Sequence, residues 1–263
     1  MSETMTTTAA PADDEGKIKL RLLVHDHYHY GEWAKSFRNV LKLKANGQEQ
    51  KRPTRYVISS EYEGRIAGLL AQVETWKDEK EKEIKQLVRQ LPIWREWAVN
   101  VHPLGEITVA YWEAYVELEK ALDAEGIVVP SKVRRFCGYD PTAARGTPGK
   151  RKYCDPLKQA LVRWGLSLEK QGAACESPYH TLYLNTKERL ANSEREVKEY
   201  RVKGQPPVMI PWKDARPEHR REAALRPPTQ VLITDYVLAR AALEGRKVRT
   251  PYAEEYLGKK HSE

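Results

Sequence analysis

An all-α fold is what this sequence predicts. Apolar residues recur at intervals of three and four along most of the chain. Period-2 alternation is nearly absent, with Val57-Ile58 and Ile127 to Val129 the only strand-like pieces. Ser-Pro and Asp-Pro pairs mark helix starts, and glycines stand where several periodic runs stop. The elements are organised around the stretch from Trp97 to Leu161.

Residues 1–16 are small, polar and acidic and are expected to be a disordered tail. A helical arm is expected over 17–91. Leu20, Leu23, Val24, Tyr28, Trp33, Phe37, Val40 and Leu41 set a helical pattern, which Gly31 interrupts at a cost of about 1 kcal/mol. Residues 45–53 read as a polar loop. Ser59 or Ser60 can cap the next helix, with Glu61 and Glu63 in its first turn. Its stripe is Ile66, Leu70, Val73, Ile84, Leu87 and Leu91, with Lys77 and Lys80 in the weak middle. That spacing suits a coiled-coil-like hairpin. A helix this polar is marginal alone, so the stripe needs an apolar partner. The helix at 17–44 can cover part of it, and a second copy of the chain could take the remainder. Pro92 ends or kinks the arm.

A helical head is expected over 92–203. Ile93, Trp94 and Trp97 anchor its base. A turn at 102–105 opens a helix that buries Ile107, Tyr111, Ala114, Leu118 and Leu122, with Gly126 as its stop. A short basic helix starts at Ser131. Asp155-Pro156 starts another, lined by Leu157, Leu161, Trp164 and Leu168 and closed by Gly172. Ser177-Pro178 starts a long helix to about Val202, carrying Tyr179, Leu182, Tyr183 and Leu190. Six of the sixteen prolines fall in 204–228, which reads as an extended connection. Residues 229–263 are a C-terminal helix and tail, with Leu232, Tyr236, Ala239 and Leu243 on one face.

At 263 residues the chain can bury a core in one or two domains. The formal charge of +8 and a pI near 9.2 favour a polyanionic partner. Cys137, Cys154 and Cys175 are odd in number and have no CxxC spacing, which argues against a disulfide framework or a zinc site. No apolar run approaches the roughly 20 residues of a membrane span, and the N-terminus does not read as a signal peptide. Cytoplasm is the expected compartment, and no membrane partner is expected.

Charge is concentrated in 131–160. Lys132, Arg134, Arg135, Arg145, Lys150, Arg151, Lys152 and Lys158 face Asp140 and Asp155, an excess of six. Gly146, Pro148 and Gly149 lie in the same stretch, and Tyr139 and Tyr153 interleave with it. Cations contact phosphates and aromatic rings stack on unpaired bases, so these ten cationic and aromatic residues form the expected RNA-binding set. The turn at Pro103 to Thr108 could expose N–H groups to a phosphate, but Glu106 competes there. His25 and His29 would share a helix face with Asp26, His27 and Glu32 nearby, yet no third metal ligand is evident. No metal, cofactor or catalytic residue is expected. A P-loop, an HNH-type histidine motif and a Ser-centred elbow are absent from the sequence.

Residues 92–115 read PIWREWAVNVHPLGEITVAYWEAY, followed by VPSKVRRFCGYDP at 129–141 and then Tyr153, Asp155, Pro156 and Leu157. With Tyr179, Tyr183, Lys187 and the closing ALEGRKVRTPYAEEYLG, this pattern resembles the C-terminal domain of RNA-guided insertion-sequence transposases of the IS one-ten type. That domain is similar to the Nop domain of box C/D ribonucleoproteins, a coiled-coil arm before a helical RNA-binding head. The nuclease-less Tas proteins of tandem-interspaced guide RNA systems share that layout. The resemblance implies a guide RNA as partner, a DNA or RNA target reached by guide pairing, and a homodimer matched to a two-halved guide. It leaves room for a nuclease acting in trans. The serine that the transposases use for strand transfer has no counterpart after Asp140-Pro141, where the chain reads Thr142, Ala143, Ala144, Arg145, Gly146. Thr142 or Thr147 would be an untypical nucleophile. The expected function is therefore guide-RNA binding without a nuclease of its own. The alternative is a transposase, recombinase or nuclease subunit acting on DNA.

Overall fold

A computed structural model describes residues 14–45, 60–139, 153–172, 175–200 and 208–249. These residues form an all-α fold with one short two-stranded hairpin. The arm consists of α1 (Asp14–Ala45) and α2 (Ser60–Val88). The two helices run antiparallel: Arg38 pairs with Glu74, and eleven residues back along α1 His27 stands beside Glu81. α1 thus covers the stripe of α2 from within the same chain. Val73 and Ile84 are buried, while Lys77 and Lys80 are half-buried between them. The α1 helix is continuous through Gly31, and it starts at Asp14, inside the stretch expected to be tail. Val57-Ile58, expected to be strand-like, and all but Ala45 of the polar loop expected over 45–53 lie outside the described residues.

Pro92 begins α3 (Pro92–Glu96), a position where proline's missing N–H costs nothing. Ile93 is buried and Trp94 and Trp97 pack against the core, as expected of anchors. α4 (Glu106–Tyr115) is shorter than its periodicity suggests. It stops at Tyr115, and Leu118–Ala121 forms a separate 3-10 turn. The physical reason is distant in sequence. The Arg240 guanidinium donates to the Val116 carbonyl at 2.6 Å, so that carbonyl is held by a side chain where the helix would otherwise continue. Gly126, at φ 75°, belongs to a turn in which Asp123 Oδ1 accepts from the N–H groups of Glu125 and Ile127. Val128 then bridges to Leu122 and Val248, which accounts for the strand-like reading there.

α5 (Pro130–Phe136) and α6 (Asp155–Glu169) follow. In α6, Leu157, Leu161, Trp164 and Leu168 are all buried. α7 (Pro178–Ala191) ends well before Val202. β1 (Glu196–Tyr200) pairs antiparallel with β2 (Val208–Pro211), so pairing within a hairpin overrides the helix propensity of Glu and Lys in EVKEY. The proline-rich segment also departs from expectation. Its residues 208–228 hold β2, a 3-10 turn, α8 (Pro217–Ala224) and the start of α9 (Arg226–Leu243). Pro217, Pro227 and Pro228 sit in first helical turns, where proline is tolerated.

The core explains why α9 cannot be an appended helix. Leu232, Ile233, Tyr236, Val237 and Ala241 are buried in one cluster with Leu20 and Val24 of α1, Ile84 and Val88 of α2, and Trp112 of α4. Tyr236 stacks on Trp112 with centroids 4.5 Å apart. Its hydroxyl donates to Glu113 Oε1 at 2.7 Å and accepts from Arg240 Nη1 at 2.9 Å. Arg240 is 7% exposed and also donates to Glu244 through Nε. Removing one partner strands a buried charge. Arg240→Ala is therefore expected to cost about 3–5 kcal/mol. Urea unfolding of the variant and wild type measures this, and a loss below about 1 kcal/mol would exclude the network as a support.

His27 joins arm to head. Only 2% exposed, its Nδ1 lies 3.0 Å from the Tyr111 hydroxyl of α4. Its Nε2 stands 3.8 Å from Glu81, beyond hydrogen-bond reach. Burial, and then the charges of Lys77 and Arg163, lower its pKa from 6.5 to about 4 despite the opposing Glu81. Between those values the unfolded chain takes a proton that the folded ring does not. The contribution of His27 to stability therefore falls as pH drops through that window and levels off below it, an effect of about 3 kcal/mol in all. His27→Gln is expected to flatten the profile of unfolding free energy against pH between 6.5 and 4. Parallel profiles for variant and wild type would assign the slope to other groups.

Candidate nucleic-acid interface

The basic face is built on α5. Pro130 fixes the first turn, and Val133 and Cys137 are buried beneath the helix. That orientation leaves Lys132 and Arg135 exposed and Arg134 half-buried. Lys132 Nζ donates to the Leu122 carbonyl at 2.5 Å, which holds one of its three donors and leaves the others for a ligand.

Beyond α5 the chain reverses at Gly138, whose φ of 77° is open to glycine without strain. Tyr139 is then tied down. Its N–H donates to the Arg134 carbonyl at 2.9 Å, and its own carbonyl accepts from Gln230 Nε2 of α9 at 2.6 Å. Burial pushes its phenol up to about 12. Tyr139 is thus half-buried, packed against the core and tied to α9. The chain returns at Tyr153, and the Cys154 N–H donates to the Phe136 carbonyl at 2.9 Å. A Cβ added at Gly138 would lie 3.1 Å from both Tyr153 Cγ and Lys158 Cδ. Lys158 Nζ sits 4.2 Å from the centre of the Tyr153 ring, a cation-π contact.

The two ends of the basic segment are therefore clasped side by side. Arg145, Lys150, Arg151 and Lys152, together with Thr142 and Thr147, lie in 140–152, outside the described residues.

The structure adds residues that local sequence reading missed. A cleft of about 400 Å³ runs beside α5, lined by Arg21, Glu117, Lys120, Lys132 and Phe136 among others. Arg21 Nε donates to the Ala114 carbonyl, and Glu117 binds both Lys120, at 2.8 Å, and Arg21, at 2.9 Å. Lys120 and Arg21 hold the Glu117 carboxyl below the usual range. Phe136, 40% exposed, lines this cleft. Arg21 and Phe136 are over a hundred residues apart in sequence, so no spacing could have joined them.

Other expected features fall elsewhere. Glu106 occupies its own helix start: Arg89 donates to it through Nε and Nη2 at 2.9 and 2.7 Å. Burial opposes its ionisation, but its own backbone N–H and Arg89 prevail and hold the carboxyl low. A phosphate would have to displace that carboxylate. His25 and His29 share a face, with ring centres 4.2 Å apart. Among the described residues no group of three or more His, Cys, Asp or Glu side chains is arranged to hold a metal ion. No described helix is long and apolar enough to cross a membrane. The chain matches no protein-family model, no curated protein and no solved structure.

The clasp depends on a glycine. Gly138→Ala would force a strained φ and press Cβ into Tyr153 and Lys158 at the loop base. It is expected to destabilise the chain by more than about 1 kcal/mol. Thermal unfolding measures the effect, and a variant as stable as wild type would show that the clasp is dispensable.

Proposed function

We propose that this chain binds structured RNA through α5, the clasped segment 140–152 and the adjoining cleft. As the sequence resemblance implies, that RNA is a guide. The observation carrying the reading is the closure of the basic segment at Gly138, Tyr153 and Cys154 beside a helix that is itself basic. A concentrated positive site neutralises several phosphates at once and releases their counterions, which is how a protein holds nucleic acid without reading its sequence. Pairing of the guide with a DNA or RNA target would supply the sequence, and the protein would recognise backbone and shape. Phe136 at the cleft rim is suited to stack on an unpaired base. The chain would present the guide without cutting, and any nuclease would act in trans. Two copies would hold one guide if its halves are alike.

The test is to isolate the full chain from its native cells and sequence the RNA bound to it, with light scattering of the complex to count protein copies. A discrete RNA with a segment complementary to a target is expected. In a salt titration, changing Lys150, Arg151 and Lys152 together to Ala should weaken binding and lower the salt slope by roughly two to three units. Recovery of bulk RNA without a discrete species, or an unchanged slope, would remove the reading.

A further inference from the structure

Two of the three cysteines meet at the base of the basic segment. Cys137 ends α5 and is fully buried, and Cys154 precedes α6, half-buried against the same core. Both are free thiols. The third, Cys175, lies elsewhere, in a second cleft of about 730 Å³ at the start of α7.

One hydrogen bond fixes how far apart Cys137 and Cys154 can be. The Cys154 N–H donates to the Phe136 carbonyl at 2.9 Å. The peptide bond after Phe136 is trans, so that carbonyl oxygen lies on the same side as the Cys137 Cα. Standard bond lengths carried across the hydrogen bond put the Cα atoms of Cys137 and Cys154 roughly 5–6.5 Å apart. A disulfide spans Cα atoms about 4.4–6.8 Å apart, so the backbone already has the required spacing. The side chains converge as well. Cys137 belongs to the core cluster that Cys154 packs against, and the nearby Cys154 thiol adds to burial in raising the Cys137 thiol. Rotation about the two Cα–Cβ bonds is the step that remains.

Burial sets the order of events. Cys137 is shut off from solvent and burial holds its thiol protonated, so alone it is inert. Cys154 is the one an oxidant can reach. Burial raises its thiol too, so nearness rather than thiolate character favours the reaction. We infer that Cys137 and Cys154 form a site of oxidative modification, joined by a disulfide when the chain meets a peroxide. The Cys154 sulfur attacks one peroxide oxygen and the O–O bond breaks. A sulfenic acid forms, and the second oxygen leaves as water with the Cys154 proton. The Cys137 sulfur then attacks the Cys154 sulfur, the S–OH bond breaks, and hydroxide leaves as water with the Cys137 proton. Two thiols are oxidised to one disulfide, and one peroxide is reduced to two waters. The bond closes the base of 140–152 covalently, and it does not rest on RNA binding by that segment.

The full chain would be treated with excess hydrogen peroxide in mildly alkaline buffer. Its remaining thiols would be capped with N-ethylmaleimide in denaturant, and the unreduced digest read by mass spectrometry. A peptide pair joining Cys137 to Cys154 is expected, lighter than its reduced parts by two hydrogens and separated by dithiothreitol, with Cys175 in no link. The linked chain should unfold at a higher urea concentration than the reduced chain, because the bond closes a loop in the unfolded state. Cys154→Ser, at a half-buried position, should keep the fold and leave Cys137 fully capped after the same treatment. Cys175→Ser should form the link as wild type does. Recovery of Cys137 and Cys154 unlinked, whether as free thiols or as separate sulfinic acids, would overturn the proposal. So would a link through Cys175 instead, or a urea midpoint that fails to rise, since the fold would then have to distort to make the bond.

Discussion

The structure turns on one buried cation. Arg240 lies near the end of the last described helix, yet its guanidinium is spent on the Val116 carbonyl, the Tyr236 hydroxyl and Glu244, with Glu113 at 3.7 Å. Burial works against its charge, but Tyr236 and the two carboxylates outweigh it and hold the group protonated far above any accessible pH. A guanidinium taken out of water must be fully satisfied, because each missing partner leaves the desolvation cost uncompensated. That requirement fixes where α4 stops, how α9 lies against it, and why Tyr236 comes to stack on Trp112.

The basic face inherits its position from that arrangement. With α9 fixed in the core, Gln230 is placed to receive the Tyr139 carbonyl, and α5 packs along the same helix. The Gly138 reversal and the Cys154 to Phe136 hydrogen bond then close the base of 140–152. The described part of the face is thus carried on the core by the short helix α5. On the far side, Tyr28 of α1 donates to Asp155 Oδ2 in the first turn of α6, so the arm is tied to the element that receives the returning chain.

The two clefts differ in chemistry. The one beside α5 has cations at its edge, but Arg21 and Lys120 are already matched to Glu117, which tempers its charge and leaves an apolar wall with Phe136 at the rim. The one at α7 has no lysine or arginine among its described lining residues.

The sequence by itself determined the helices that follow from local periodicity. It placed the buried face of α6, Leu232 and Tyr236 on the buried face of α9, the prolines that open α6 and α7, and α1 as a cover for part of the stripe of α2. It also located the charge in 131–160, because charge is a property of composition. It could not show that α4 ends at Tyr115, since the cause is a guanidinium more than a hundred residues away. The EVKEY strand was equally hidden, because its partner strand, not its own propensity, decides it. The tie between Tyr139 and Gln230 of α9 was hidden for the same reason, since 91 residues separate them. Tertiary structure decided these points because each depends on a contact with a second segment that the element's own pattern does not reveal.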